Sequence, residues 1–76
     1  MSYRVKDYMR KDIVTLDAGA SAIEASKKMA EKDVGYIIVL DRGQPVGIVT
    51  ERDLVKKIMA KEKDPSKTKI AECMST

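Results

Sequence analysis

The chain has no histidine, no tryptophan, no phenylalanine and a single cysteine, Cys73, among its 76 residues. Each shortage excludes something. One cysteine forbids an internal disulfide, and without histidine or a second thiol a structural zinc site has no ligand set. Three tyrosines as the only aromatics leave few platforms on which single-stranded bases could stack. No apolar run approaches the roughly 20 residues that span a bilayer. Met1-Ser2-Tyr3-Arg4 leads into no signal-peptide core, so the cytoplasm is the expected compartment and no membrane partner is expected. Fifteen basic and 12 acidic residues leave a net charge of +3. They alternate, as in Glu24, Lys27, Lys28 and Glu31, which is the pattern of a solvated helix face, whereas a nucleic-acid surface clusters one sign. Catalysis is disfavoured too. Cys73 has no adjacent base, and the carboxylates sit among lysines where solvated pairing is the ordinary reason for them. The chain reads as a non-enzyme.

What remains is a small domain of mixed elements. A chain this short buries a small fraction of its surface and needs reinforcement. With disulfide and metal excluded, self-association is the reinforcement left. Ile13-Val14-Thr15-Leu16 is β-branched and short, a strand broken by Asp17-Ala18-Gly19-Ala20. Ser21 with Glu24 three residues on forms a capping box opening a helix. Ala22, Ala25, Ser26, Met29 and Ala30 share one face of that helix. Tyr36 to Leu40 is continuously apolar, as a buried strand is. Asp41-Arg42-Gly43-Gln44-Pro45 is turn chemistry, after which Val46 to Val49 returns as the hairpin partner. A second helix runs from Glu51 to about Glu62, and Pro65 is expected to end it. Its stripe of Leu54, Val55, Ile58 and Met59 is the expected dimer interface. The order is strand, helix, strand, strand, helix, an α/β (α+β) unit with a small three-stranded mixed sheet, its first two strands parallel.

The stretch Gly47-Ile48-Val49-Thr50-Glu51-Arg52-Asp53-Leu54 joins the last strand to the second helix. Thr50 and Asp53 stand three apart, which is a capping box worth about 1 kcal/mol. A second reading stays open beside it. Ligands of open sheets collect at the carboxyl ends of strands, and an ionised carboxylate accepts from the two hydroxyls of a ribose. In that reading Asp53 takes the ribose, Thr50 and Arg52 lie nearer a phosphate, and Gly47 lets a flat base approach.

"GIVTERDL" resembles the signature of the cystathionine β-synthase (CBS) domain family: glycine, two apolar residues, Thr or Ser, two variable residues, then Asp. "VKDYMRKDIVTLD" resembles the opening of the family's repeat, and "AIEASKKMAEKDVGYIIVLDRGQPVGIVTERDL" its body. The resemblance implies a CBS-type β-α-β-β-α unit and a regulatory, ligand-sensing role. The ligand it implies is adenosine-containing, AMP, ADP, ATP or S-adenosylmethionine, and no catalytic cofactor or metal is expected. Carried onto this chain, it assigns Asp53 to the ribose and Thr50 to a phosphate or ribose oxygen. Ile13, Val14, Thr15, Gly35, Tyr36 and Ile37 then wall the base, with Tyr36 equally readable as core. Arg10, Lys11 and Arg52 are the phosphate candidates.

Such repeats usually pair in tandem as a Bateman module, whereas this chain has one complete repeat. "RVKDYM" (Arg4 to Met9) is echoed by "KIAECM" (Lys69 to Met74). Residues 1–64 are therefore expected as one repeat, and 65–76 as the truncated start of a second or a linker. A homodimer is expected to supply the missing half, with a regulated protein as a further partner. The alternative is a dimerisation or protein-interaction module with no ligand, with nucleic-acid binding through the basic surface a less favoured third reading.

Overall fold

The computed structural model describes residues 13–76, and its elements follow the expected order. Strand β1 (Thr15–Asp17) lies parallel to β2 (Tyr36–Asp41), and β3 (Gln44–Thr50) runs antiparallel on the other side of β2. Helix α1 (Ala22–Lys32) connects the two parallel strands. Helix α2 begins directly after β3 as an α-turn, Glu51–Leu54, and continues as a π-helical turn, Val55–Met59.

Alternation along the strands sorts the sheet into two unlike faces. Ile37, Val39 and Val49 are fully buried, and they pack with Ala22, Ala25 and Met29 of α1 and Ile58 of α2. The intervening residues, Tyr36, Ile38 and Leu40 in β2 and Ile48 and Thr50 in β3, point to the opposite side. That side is bare: Tyr36 is 41% and Val46 37% exposed.

Helix α1 shows why local chemistry and the distant chain are both needed. The Ser21 hydroxyl accepts from the Glu24 N–H at 3.2 Å while the Glu24 carboxylate accepts from the Ser21 N–H at 3.2 Å, completing the expected capping box. The two remaining free N–H groups of the first turn are met from the far end of the chain. Ala22 donates to the Thr68 carbonyl (2.7 Å) and Ile23 to the Pro65 carbonyl (3.0 Å). No donor of the helix start is orphaned.

Residues 65–76 thereby belong to the packing of this unit. Ile70 and Cys73 are fully buried in its core, flanking a short 3₁₀ turn, Ile70–Glu72. Ser21 bridges Lys69, and Ser75 bridges Ile48 on the outer edge of β3. The earlier copy of this segment, Arg4 to Met9, lies outside the described residues, as do Arg10 and Lys11.

Three element boundaries differ from expectation, each through a contact that sequence spacing does not carry. Strand β1 starts at Thr15 rather than Ile13 and includes Asp17. Its pairing runs on because Ala18 donates to the Leu40 carbonyl at 2.7 Å, while Val14 adds only a carbonyl to Ile38 (2.9 Å). Strand β3 starts at Gln44, because the turn needs just two residues. Arg42 and Gly43 take φ of 54° and 78°, the mirror-image turn whose twist suits a hairpin. Pro45 is therefore inside the strand, paired with Leu40, and the register slips by one residue beside it. A bulge on an edge strand is where a residue lacking an N–H is tolerated. Finally, α2 ends at Met59 rather than near Glu62. Glu62 adopts φ of 55°, and the turn closes through Glu62 N–H to the Met59 carbonyl and Lys63 N–H to the Ile58 carbonyl. Pro65 is not what stops the helix.

Candidate functional site

The strand-to-helix junction is a complete capping box. The Thr50 hydroxyl accepts from the Asp53 N–H (3.1 Å), and the Asp53 carboxylate Oδ2 accepts from the Thr50 N–H (2.9 Å) and from the Thr50 hydroxyl (3.1 Å). The other carboxylate oxygen is engaged as well. Oδ1 lies 3.3 Å from the Lys57 ammonium and accepts from the Ser75 hydroxyl at 3.4 Å. Burial pushes the Asp53 carboxyl up, and the Thr50 N–H, the Lys57 ammonium and the Thr50 hydroxyl together outweigh it. The group titrates below the ordinary carboxylate range.

Gly47 shows a different use from the one its sequence position invites. It pairs with Val39 and so occupies the core side of β3. A Cβ there would stand 2.7 Å from the Met74 sulfur and 2.9 Å from the Ser75 carbonyl oxygen. The missing side chain makes room for Met74, which packs against the core. Lys57 closes this corner, donating to the Cys73 carbonyl at 2.9 Å. Burial pushes the Cys73 thiol up, and the Glu72 carboxylate adds to the effect. It stays protonated, the reverse of what a nucleophile requires.

On the other side of Thr50 lies a cleft of about 800 Å³. It wraps around the end of the sheet where β1 and β2 begin and β3 finishes. One wall is the bare sheet face, with Val14, Tyr36, Ile48 and Thr50. The floor is Val34, Gly35 and Glu51, drawn together because Glu51 donates to the Gly35 carbonyl at 3.0 Å. A Cβ at Gly35 would come within 2.7 Å of the Glu51 carboxylate. The cleft continues between the helices, along Ser26, Met29 and Ala30 of α1 and Leu54, Val55 and Met59 of α2. Among the described lining residues the charged groups are Asp33 and Glu51, both acidic.

Of the ligand-binding candidates, Val14, Gly35, Tyr36 and Thr50 meet in this cleft, and Leu54, Val55 and Met59 of the expected dimer stripe line it too. Ile13 is an exposed residue (69%) outside it, and Thr15, Arg52, Asp53 and Gly47 do not line it. Ile37, expected to wall a base, is wholly in the core, since it alternates with Tyr36 onto the helix side. Ile58, expected at a dimer interface, is 2% exposed and packs inward, while Val55 (58%) and Met59 (68%) of the same stripe remain at the surface. The α1 wall escaped sequence reasoning. Its signal was the run of small residues Ser26 and Ala30 beside Met29, which looks like an ordinary packing face.

The CBS domain family model matches residues 5–60. The CBS domain-containing protein YhcV of Bacillus subtilis is 33% identical over 72 residues, covering 95% of this chain and 51% of that protein. The hexameric CBS-CP12 protein of bloom-forming cyanobacteria superposes with a TM-score of 0.80 at 34% identity, over 99% of this chain and 44% of that one. A CBS domain protein from Pyrobaculum aerophilum, solved in complex with AMP, shares the fold (TM-score 0.80, 22% identity, 97% of this chain and 57% of that one). The chain spans about half the length of some curated relatives it matches and much less of others: 51% of YhcV, 38% of a protein from Methanopyrus kandleri and 14% of one from Methanocaldococcus jannaschii. With the family's order of strands and helices and a matching model across most of its length, the chain belongs to the CBS domain family.

Proposed function

We propose that this CBS domain is a ligand-sensing regulatory module, that its ligand contains adenosine, and that a second copy of the chain completes the site. The observation that carries the reading is the cleft, where Val14, Gly35, Tyr36 and Thr50 converge although they come from three separate stretches of sequence. Its volume of about 800 Å³ suits a nucleoside-sized molecule, and its walls are largely apolar with few polar groups, as ligand sites generally are. The base rests against Tyr36, Val14 and Ile48, and the ribose turns toward Thr50 and Asp53. Arg52, Arg10 and Lys11 are the groups left to meet a phosphate. The bare sheet face and the exposed Val55 and Met59 are the surfaces a second copy would cover. One structural relative is a hexamer, which supports association of copies, and the AMP complex of another supplies the first probe. Sensing follows if ligand binds one arrangement of the copies better than another, since only that difference shifts an equilibrium.

A thermal melt against AMP, ADP, ATP and S-adenosylmethionine tests the reading. A ligand bound only by the folded chain and present at about 100 times its Kd adds about 2.7 kcal/mol. In a domain of this size that raises the midpoint by about 10 °C or more. The rise should vanish in Tyr36→Ala and weaken in Asp53→Ala. A panel that leaves the midpoint unmoved would sink the sensing reading. The fully engaged Asp53 carboxylate would then stand as a helix cap in a dimerisation or interaction module.

A further inference from the structure

We propose that Met74 and Ser75 form a strap across the edge of β3 that a ribose-bearing ligand must release, so that occupancy of the cleft is coupled to the freedom of the C-terminal segment. The proposal rests on the reading above, in which Asp53 receives the ribose. An ionised carboxylate offers about four acceptor positions. Asp53 already meets four donors: the Thr50 N–H and hydroxyl on Oδ2, the Lys57 ammonium and the Ser75 hydroxyl on Oδ1. The two from Thr50 are the start of helix α2 and stay. A ribose diol brings two donors of its own and can be accommodated only in place of the pair on Oδ1.

That pair belongs to one latch. Ser75 exchanges both backbone hydrogen bonds with Ile48, at 2.8 and 2.9 Å, and Ile48 lines the cleft. Met74 fills the space left by Gly47. Lys57 holds the Cys73 carbonyl and Asp53 at once. Ile70 and Cys73, fully buried, anchor what precedes. The segment is therefore fixed up to Met74, whose N–H donates to the Ile70 carbonyl at 2.9 Å, and Ser75 is held beyond it by the two backbone bonds with Ile48 and a long hydroxyl bond, with Ser75 itself exposed. Release starts at Ser75 and leaves Ile70 and Cys73 in place. Coupling of this kind is reciprocal, so whatever loosens the strap tightens binding.

Ser75→Pro removes both the N–H given to Ile48 and the hydroxyl given to Asp53, and Ser75→Ala removes the hydroxyl alone. AMP is the probe, its affinity read by calorimetry and the Ile48 amide followed by hydrogen exchange in the full chain. The expected result is affinity about fivefold or more higher in Ser75→Pro, a smaller gain in Ser75→Ala, and faster Ile48 exchange in the unaltered chain once AMP is bound. Equal affinity in all three chains, with Ile48 still protected, overturns the strap and leaves the sensing module standing. Weaker binding in Ser75→Pro, with Ile48 protection rising on AMP addition, also overturns it, because the segment would then be a wall of the site. Failure of AMP, ADP, ATP and S-adenosylmethionine alike to bind any of the chains overturns both readings together.

Discussion

Replacing Gly47 by alanine sets two effects of known size against each other. A glycine inside a strand costs roughly 0.5–1 kcal/mol relative to alanine, because it loses more freedom on folding. In open space Gly47→Ala would therefore stabilise. Here the new methyl stands 2.7 Å from the Met74 sulfur, 3.1 Å from its Cγ and 2.9 Å from the Ser75 carbonyl oxygen. The sulfur sits at the end of a flexible side chain and can yield, but the carbonyl is held in a pair with Ile48 and cannot move without breaking it. Overpacking of this kind costs about 1–3 kcal/mol, so the net loss should be about 1 kcal/mol and at most about 2.5 kcal/mol. A thermal melt would show the midpoint falling by about 4–8 °C for each kcal/mol. Met74→Ala in the same chain removes the sulfur and Cγ contacts and leaves the carbonyl contact. The double variant should thus be less damaged than the sum of the singles, with a coupling of about 0.5–3 kcal/mol. Gly35→Ala is the control, since its single severe contact is the movable Glu51 carboxylate oxygen. A Gly47→Ala chain that melts at or above the parent, with Met74→Ala purely additive, would refute the claim that this glycine exists to seat Met74.

Ile70→Ala should cost about 2–5 kcal/mol by denaturant unfolding, as for other fully buried isoleucines. A change within about 0.5 kcal/mol would mean that residues 65–76 are a loose tail. Acid titration of stability should single out Asp53. Its carboxyl is held below the ordinary value of 3.8, so its contribution is present above that pH and lost as pH falls through the lowered folded value. The stability gap between the parent chain and Asp53→Asn should be widest near neutrality and close as pH drops below about 4. A gap unchanged between about pH 7 and pH 3 would show that the charge contributes nothing to folding.

The order of elements and both capping boxes were readable because they depend on residues a few positions apart. Ser21 with Glu24 and Thr50 with Asp53 announce helix starts by spacing alone. Boundaries set by distant partners were not readable. Asp17 stays in β1 through Leu40, and the free donors of α1 are met by Pro65 and Thr68. The π-turn at Val55–Met59 has no mark in the hydrophobic stripe, which fits an α-helix equally well. In the cleft, the contribution of Thr50 was legible because it stands at the carboxyl end of a strand, where ligands gather, whereas Val14, Gly35 and Tyr36, at the amino ends of β1 and β2, were legible only through the family resemblance. The direction in which Asp53 and Gly47 face was not. Strand pairing with Val39 and the cap at Thr50 orient them, but the use each is put to comes from Met74 and Ser75, which approach only once the chain has folded back.

Strand β3 is an edge strand, and an unpaired edge is a template for other strands. In this fold two things blunt it: Pro45 has no N–H to offer, and Ser75 takes both backbone groups of Ile48. The eight-residue stretch from Lys69 to Thr76 thus acts as a guard against sticking as well as a piece of core. Any event that lifts Ser75 bares the backbone of Ile48 beside the apolar face of Tyr36, Ile38 and Leu40. At high concentration, a chain in that state offers its bared edge to a strand of another copy. Solubility, more than folding, is then what sets how loosely this edge can be held.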